Sequence, residues 1–213
     1  MENVVIVRAW HAALAALIAV AVVWQLVIVI DDGRSVANFF SYFTVLSNIA
    51  VMVGAALVAV DPHRSGTWFG ILRLAGLTGI TVTGIVYSTI LAGAIPLEGA
   101  DKVLDTIFHY VVPLASLLGY VALKPRTPLA STAWWALAYP IVWLVYTLIR
   151  AEVSSPVYPM SATTTSSVPY DFLDVDAHGV GGVAVGCLAV TVLFVVLAWL
   201  YLRLTKPAST PTS

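Results

Sequence analysis

Six apolar runs constrain this chain more than any other feature: about Arg8 to Ile30, Phe39 to Val60, Trp68 to Ala92, Val103 to Leu123, Ala133 to Arg150 and Gly179 to Leu202. A helix of about 20 residues rises about 30 Å, the thickness of a bilayer's hydrocarbon core. Polar clusters that cannot continue in lipid stop the runs, among them Asp31-Asp32-Gly33-Arg34-Ser35, Asp61-Pro62-His63-Arg64-Ser65-Gly66 and Lys124-Pro125-Arg126-Thr127-Pro128. The expectation is an all-α polytopic membrane protein, with six transmembrane helices in one bundle and a short Pro/Ser/Thr tail. Only 10% of the residues are charged, against about 25% in soluble domains, so residues 1–213 read as a single membrane domain. The run after Arg8 is too long for a signal-peptide core and ends in Ile30-Asp31-Asp32 without a clear small-residue cleavage site, so it reads as a retained helix. A net charge of −1 without a basic stripe sets nucleic-acid binding aside. The single cysteine, Cys187, allows no intrachain disulfide.

Alternate connections fall on opposite sides of the membrane. One side collects Arg8, Arg64, Arg73, Lys124, Arg126, Arg203 and Lys206, and the other only Arg34, Lys102 and Arg150. The positive-inside rule then puts both termini in the cytoplasm. The third run carries Gly76, Thr78, Gly79, Thr81, Thr83 and Gly84, small and hydroxyl residues that let membrane helices pack closely; it should be central. The longest connection, 151–177, is rich in Ser, Thr and Pro and reads either as a lid over the outer face or as a linker.

Two polar knots interrupt the apolar pattern. Asp105 and His109 are four residues apart in the fourth run, so they stack on one helix face, and ionisable groups inside a span are costly and by default functional. Ser41 to Asn48 form the second knot, in the second run. At about 1.5 Å per residue, Thr44 lies about 7 to 8 Å below the outer start of its span and His109 about 9 Å below the start of its own. Tyr87, Ser88, Tyr146, Thr147, Arg150 and His178 reach the same level.

A hydroxyl beside an imidazole suggests nucleophilic acyl transfer, with Thr44 attacking, His109 taking its proton and Asp105 orienting the ring. Asn48, four residues after Thr44, shares its face and is a candidate oxyanion donor; Ser47 and Ser88 are alternative nucleophiles or donors. Each has a structural alternative. A membrane threonine often back-bonds to the carbonyl one turn earlier, Asp105 can favour a helix N-terminus, and Asn48 can act as interhelical glue. Pro113 removes the backbone donor that would meet the His109 carbonyl, so a kink is expected there.

The stretch Phe40-Ser41-Tyr42-Phe43-Thr44-Val45-Leu46-Ser47-Asn48, with Asp105-Thr106-Ile107-Phe108-His109-Tyr110-Val111-Val112-Pro113-Leu114, resembles the androgen-induced transmembrane protein family and its bacterial six-helix relatives. Eukaryotic members are threonine hydrolases that cleave fatty acid esters of hydroxy fatty acids. The resemblance implies a nucleophile at Thr44, a catalytic histidine at His109, a lipid or fatty acyl ester substrate and no cofactor.

Two other readings stand beside it. A metal-dependent lipid hydrolase would join Asp105 and His109 to Asp174, Asp176 or His178. A transporter, sensor or scaffold would need no chemistry, although a proton-coupled carrier wants ionisable groups near the midplane, where this chain has mainly Gly and Thr. Geometry separates these readings: the acyl-transfer site requires Thr44 and His109 to share one cavity within hydrogen-bond reach or one water.

Overall fold

The structure, a computed structural model, describes residues 3–126 and 128–205. Thr127, Lys206 and the Pro/Ser/Thr tail lie outside the described residues. The main helices are α1 (Val4–Asp31), the short α2 (Val36–Phe39), α3 (Phe43–Val60), α4 (Thr67–Val86), α5 (Gly99–Thr106), α6 (Val112–Ala122), α7 (Ala138–Ser154) and α8 (Val175–Thr205). A π turn at Tyr87–Leu91 extends α4, a second at Ile107–Val111 joins α5 to α6, and a 3₁₀ segment at Ser131–Leu137 leads into α7. Among the described residues six continuous helical stretches are long and apolar enough to cross a membrane, as the six runs require.

The boundaries differ from the sequence reading in one place that matters. The second run is not one helix from Phe39. It breaks between α2 and α3, where the Ser41 hydroxyl donates to the Ala37 carbonyl at 2.7 Å and the Ser41 carbonyl accepts from the Trp143 indole at 2.9 Å. Local side-chain bonding of this kind competes with helix continuation. As a result Thr44 is the second residue of α3, where a backbone N–H has no partner within the helix. In the sixth run Gly179 adopts φ 65° and separates a single turn from the long apolar part of α8, close to the start read from the sequence.

α4 is the most buried of the six spans and packs against α3, α6 and α8, as its glycines lead one to expect. A Cβ on Gly76 would lie 3.3 Å from the backbone of Ala50 and Val51, so this glycine serves helix packing within the chain. The apolar core runs from Leu14, Ile18 and Ala21 of α1 through Val51 and Ala55 of α3 to Ile80, Leu104, Phe108 and Val112. α7 and α8 keep large apolar side chains such as Ile141, Val145, Val185 and Leu188 on the outside, where lipid is the matching solvent.

The two ends of the bundle sort as alternation demands. At one end the Asn3 N–H donates to the Lys124 carbonyl, Arg8 to that of Val60, and Arg126 to that of Leu204. At the other, Arg34 lies 3.6 Å from Asp101, and Asn38 donates to the Val157 carbonyl at 2.8 Å. The long connection folds over this second end. It forms an antiparallel hairpin of β1 (Tyr158–Pro159) and β2 (Thr165–Ser166), then a 3₁₀ turn at Asp171–Leu173, and it buries Tyr158, Val168 and Leu173.

Candidate active site

Asp105 lies near the end of α5, beyond the first turn that begins at Gly99, so the helix-dipole account of this carboxylate fails. Its partners are side chains instead. Its Oδ1 is 2.9 Å from His109 Nδ1, and its Oδ2 accepts from the Tyr87 hydroxyl at 2.6 Å. The Asp105 backbone carbonyl also lies 3.0 Å from His109 Nδ1. With two acceptors there, the proton belongs on Nδ1, which leaves Nε2 bare to accept.

His109 sits in the π turn Ile107–Val111. The donor that Pro113 lacks would have met the His109 carbonyl, and the expected kink takes the form of this wider turn, closed by the Val112 N–H on the Ile107 carbonyl. The Tyr87 ring, from the π turn that ends α4, stacks on the imidazole at 3.8 Å and an interplanar angle of 15°. π turns are rare and frequently mark functional sites; here two of them meet.

Thr44 faces the bare nitrogen, with its Oγ1 3.4 Å from His109 Nε2. Catalytic hydrogen bonds are often this long before substrate tightens them. Thr78, Thr81, Thr89, Thr106 and Thr191 each donate to the carbonyl one turn earlier, whereas the Thr44 hydroxyl meets His109 and Tyr170. Its back-bonding alternative is therefore not what the structure holds.

Tyr170 comes from the long connection. Its hydroxyl accepts from the Thr44 N–H at 3.2 Å and lies 3.3 Å from Thr44 Oγ1. Its ring packs against Tyr42, Trp143 and Phe172, and burial pushes its phenol above the ordinary tyrosine range, so it holds its proton. The donors and acceptors then run one way: Tyr170 O–H to Thr44 Oγ1, Thr44 O–H to His109 Nε2, His109 Nδ1–H to Asp105.

Two cavities meet at this chain of bonds. One, of about 170 Å³, is walled by apolar side chains including Val82, Val86, Leu144, Val190 and Phe194. The other, of about 1010 Å³, lies between the 155–174 and 92–98 connections and carries polar groups including Arg34, Asn38, Asp101 and Arg150. Thr44, Tyr87, Leu91, His109 and Tyr170 line both.

Three of the residues singled out from the sequence lie elsewhere. Asn48 is fully buried with its amide donating to the Thr44 carbonyl at 2.9 Å, and it lines neither cavity, so it is not placed to donate to an oxyanion. Being four residues along an α-helix from Thr44 put it against that residue's backbone rather than beside its hydroxyl. Ser47 is buried against the Tyr139 hydroxyl at 3.0 Å. Ser88 donates to the Ile85 carbonyl at 3.1 Å on the exposed side of its π turn, away from both cavities.

The donor set of the metal reading does not assemble either. Among the described residues no three His, Cys, Asp or Glu side chains converge. His178 pairs with Asp171 at 2.7 Å, and Asp174 accepts from the N–H groups of Asp176 and Ala177 at the start of α8. The Ser166 hydroxyl holds the Asp174 carboxyl below its usual value.

Tyr170 was missed because nothing in a Ser/Thr/Pro-rich connection marks which tyrosine turns inward; the run of aromatics Tyr170 and Phe172 among polar residues was the available signal. Comparison of the chain with protein-family models, curated proteins and solved structures returned no match. The fold and site define it as a six-helix protein suited to the membrane, with a threonine–histidine–aspartate constellation in a cavity at one end of the bundle.

Proposed function

We propose that this protein is an integral membrane hydrolase of fatty acyl esters, with Thr44 as nucleophile and His109 as general base. One observation carries the reading: the line of contacts from the Thr44 hydroxyl through His109 to Asp105, at the junction of an apolar and a polar cavity. Thr44 Oγ1 attacks the ester carbonyl while its proton passes to His109 Nε2, and Asp105 steadies the imidazolium through Nδ1. As the alkoxy bond breaks, His109 returns the proton to the leaving alcohol. Water, deprotonated by the same nitrogen, then bonds to the acyl carbon, and as the bond from that carbon to Thr44 Oγ1 breaks His109 returns the proton to Thr44 and the acid leaves.

The apolar cavity suits an acyl chain, since each buried methylene contributes about 0.8 kcal/mol. The polar cavity suits the ester's other half and the entering water. The likeness of both stretches to the androgen-induced transmembrane protein family supports the same two residues. The bias of basic residues supports cytoplasmic termini, which sets the site in the outer leaflet and the 155–174 connection over it as a lid.

The test is hydrolysis of a panel of long-chain esters, branched fatty acid esters included, by purified protein in detergent. Thr44→Ala should abolish turnover and His109→Ala should cut it to a small, measurable residual rate, while each variant melts as wild type does. Full activity in Thr44→Ala would refute the mechanism.

A further inference from the structure

The tetrahedral intermediate needs donors for its oxyanion, and Asn48 faces away. Two groups lie beside the Thr44 hydroxyl. The Thr44 N–H is in the first turn of α3, and no side chain caps it from Tyr42. It points instead at the Tyr170 hydroxyl, 3.2 Å away, which is itself 3.3 Å from the nucleophilic oxygen.

We propose that Tyr170, carried by the 155–174 connection, is a catalytic residue whose hydroxyl, together with the Thr44 N–H, binds the oxyanion formed on attack by Thr44. The inference rests on the Thr44–His109 reading above. When Thr44 Oγ1 bonds to the carbonyl carbon, the π electrons move onto the carbonyl oxygen. That oxygen displaces the Tyr170–Thr44 contact and accepts from both donors. Tyr170 keeps its proton throughout, because His109 carries the one that moves. The α3 N-terminus adds its positive end to the same point.

The connection therefore completes the site as well as covering it. Tyr158 and Tyr170 flank Tyr42 at ring distances of 5.3 and 6.1 Å, and Arg150, which also donates to Asn38 at 2.6 Å, donates to the Tyr158 hydroxyl and lies over its ring. These contacts tie the hairpin to α2 and α7 and fix the height at which Tyr170 enters.

The experiment uses Tyr170→Phe in the full chain, since phenylalanine keeps the ring packing and removes only the hydroxyl. The readouts are ester hydrolysis and the affinity of two probes: a long-chain ether that cannot react, and a long-chain trifluoromethyl ketone that forms a tetrahedral adduct with a nucleophilic hydroxyl. We expect kcat to fall about 100-fold with KM little changed. Ketone affinity should fall by a similar factor while ether affinity holds, which also reports that the variant is folded. Hydrolysis within about threefold of wild type, or equal losses for ether and ketone, would overturn the assignment and leave Tyr170 a packing residue. Failure of the underlying reading looks different: Thr44→Ala would still hydrolyse esters and bind the ketone as wild type does.

Discussion

Replacing Asp105 with asparagine isolates one contribution to the proposed chemistry, the charge behind His109. The amide can offer its oxygen to His109 Nδ1–H and its NH₂ to the Tyr87 hydroxyl, which accepts as well as it donates. The Asp105 backbone carbonyl, 3.0 Å from Nδ1, holds the tautomer whatever the side chain does. Geometry therefore survives, and the tautomer loss that makes such a change costly in serine proteases is avoided. What disappears is a unit charge 2.9 Å from the developing imidazolium. At an effective dielectric constant of about 20 that interaction is about 6 kcal/mol, a ceiling near 10⁴ in rate. Asp105 keeps 17% of its side-chain surface exposed, so water screens part of it, and we expect kcat to fall about 100- to 1000-fold with KM unchanged. The assay is steady-state ester hydrolysis in a double-mutant cycle with His109→Ala. Asp105→Asn should cost nothing further once His109 is gone, because the carboxylate acts through the ring. A kcat within threefold of wild type, or an additive loss in the double variant, would refute the reasoning.

Ser47→Ala and Ser88→Ala should leave kcat unchanged; the first loses its bond to Tyr139 and costs about 1 kcal/mol in chemical melting, the second nothing measurable. Loss of turnover in either would move the nucleophile. Gly84→Val puts a Cβ 2.9 Å from Pro113 Cβ and 3.4 Å from the His109 carbonyl, which pushes the π turn away from α4. It should destabilise by about 1 to 3 kcal/mol and reduce kcat by more than the melting shift explains. Asp174 has its folded pKa depressed chiefly by Ser166, so its stabilisation is fully present above the unfolded value of 3.8 and is lost as pH falls through the lower folded value. Tryptophan-fluorescence melts should therefore be insensitive to this group from neutral pH down to about 4 and weaken below it, and Asp174→Asn should flatten that acid limb.

Much of the architecture was legible because the bilayer imposes it. An apolar run of about 20 residues has few alternatives to a spanning helix, and the clusters at Asp31, Asp61 and Lys124 stop the first, second and fourth runs for the same reason. The meeting of Thr44 with His109 was legible too, from equal depth in two spans entering from the same side. That estimate reached the right level although its starting point was wrong: Thr44 begins a helix instead of lying within one, because Ser41 and Trp143 break the run. Helical periodicity could not show this, since the break depends on an indole 102 positions away. For Asn48 the four-residue spacing was correct and the inference from it was not, as a side chain one turn on reaches the preceding carbonyl as readily as a shared pocket. Tyr170 and the hairpin needed tertiary contacts that no local pattern encodes.

The two π turns explain why the site exists at this point of the bundle. An extra residue in a turn rotates all that follows by about 100° relative to an unbroken α-helix. Below Val86, α4 turns its small residues toward its neighbours so that the helices approach closely; an unbroken helix would carry that tight packing to the end of the span. The turn at Tyr87–Leu91 lets a tyrosine ring face inward at the level where the bundle widens. The turn at Ile107–Val111 does the same for His109, while Pro113 stays packed on Gly84. Tight packing below and two opposed wide turns above place the stacked Tyr87 and His109 rings on the wall of a cavity instead of in a closed core. Those rings hold one side of the site, the start of α3 holds the other, and the connection supplies Tyr170 between them. A binding cavity alone would need only the widening; the proposed chemistry further needs a ring nitrogen beside a hydroxyl that is not back-bonded, and Thr44 and His109 meet that need.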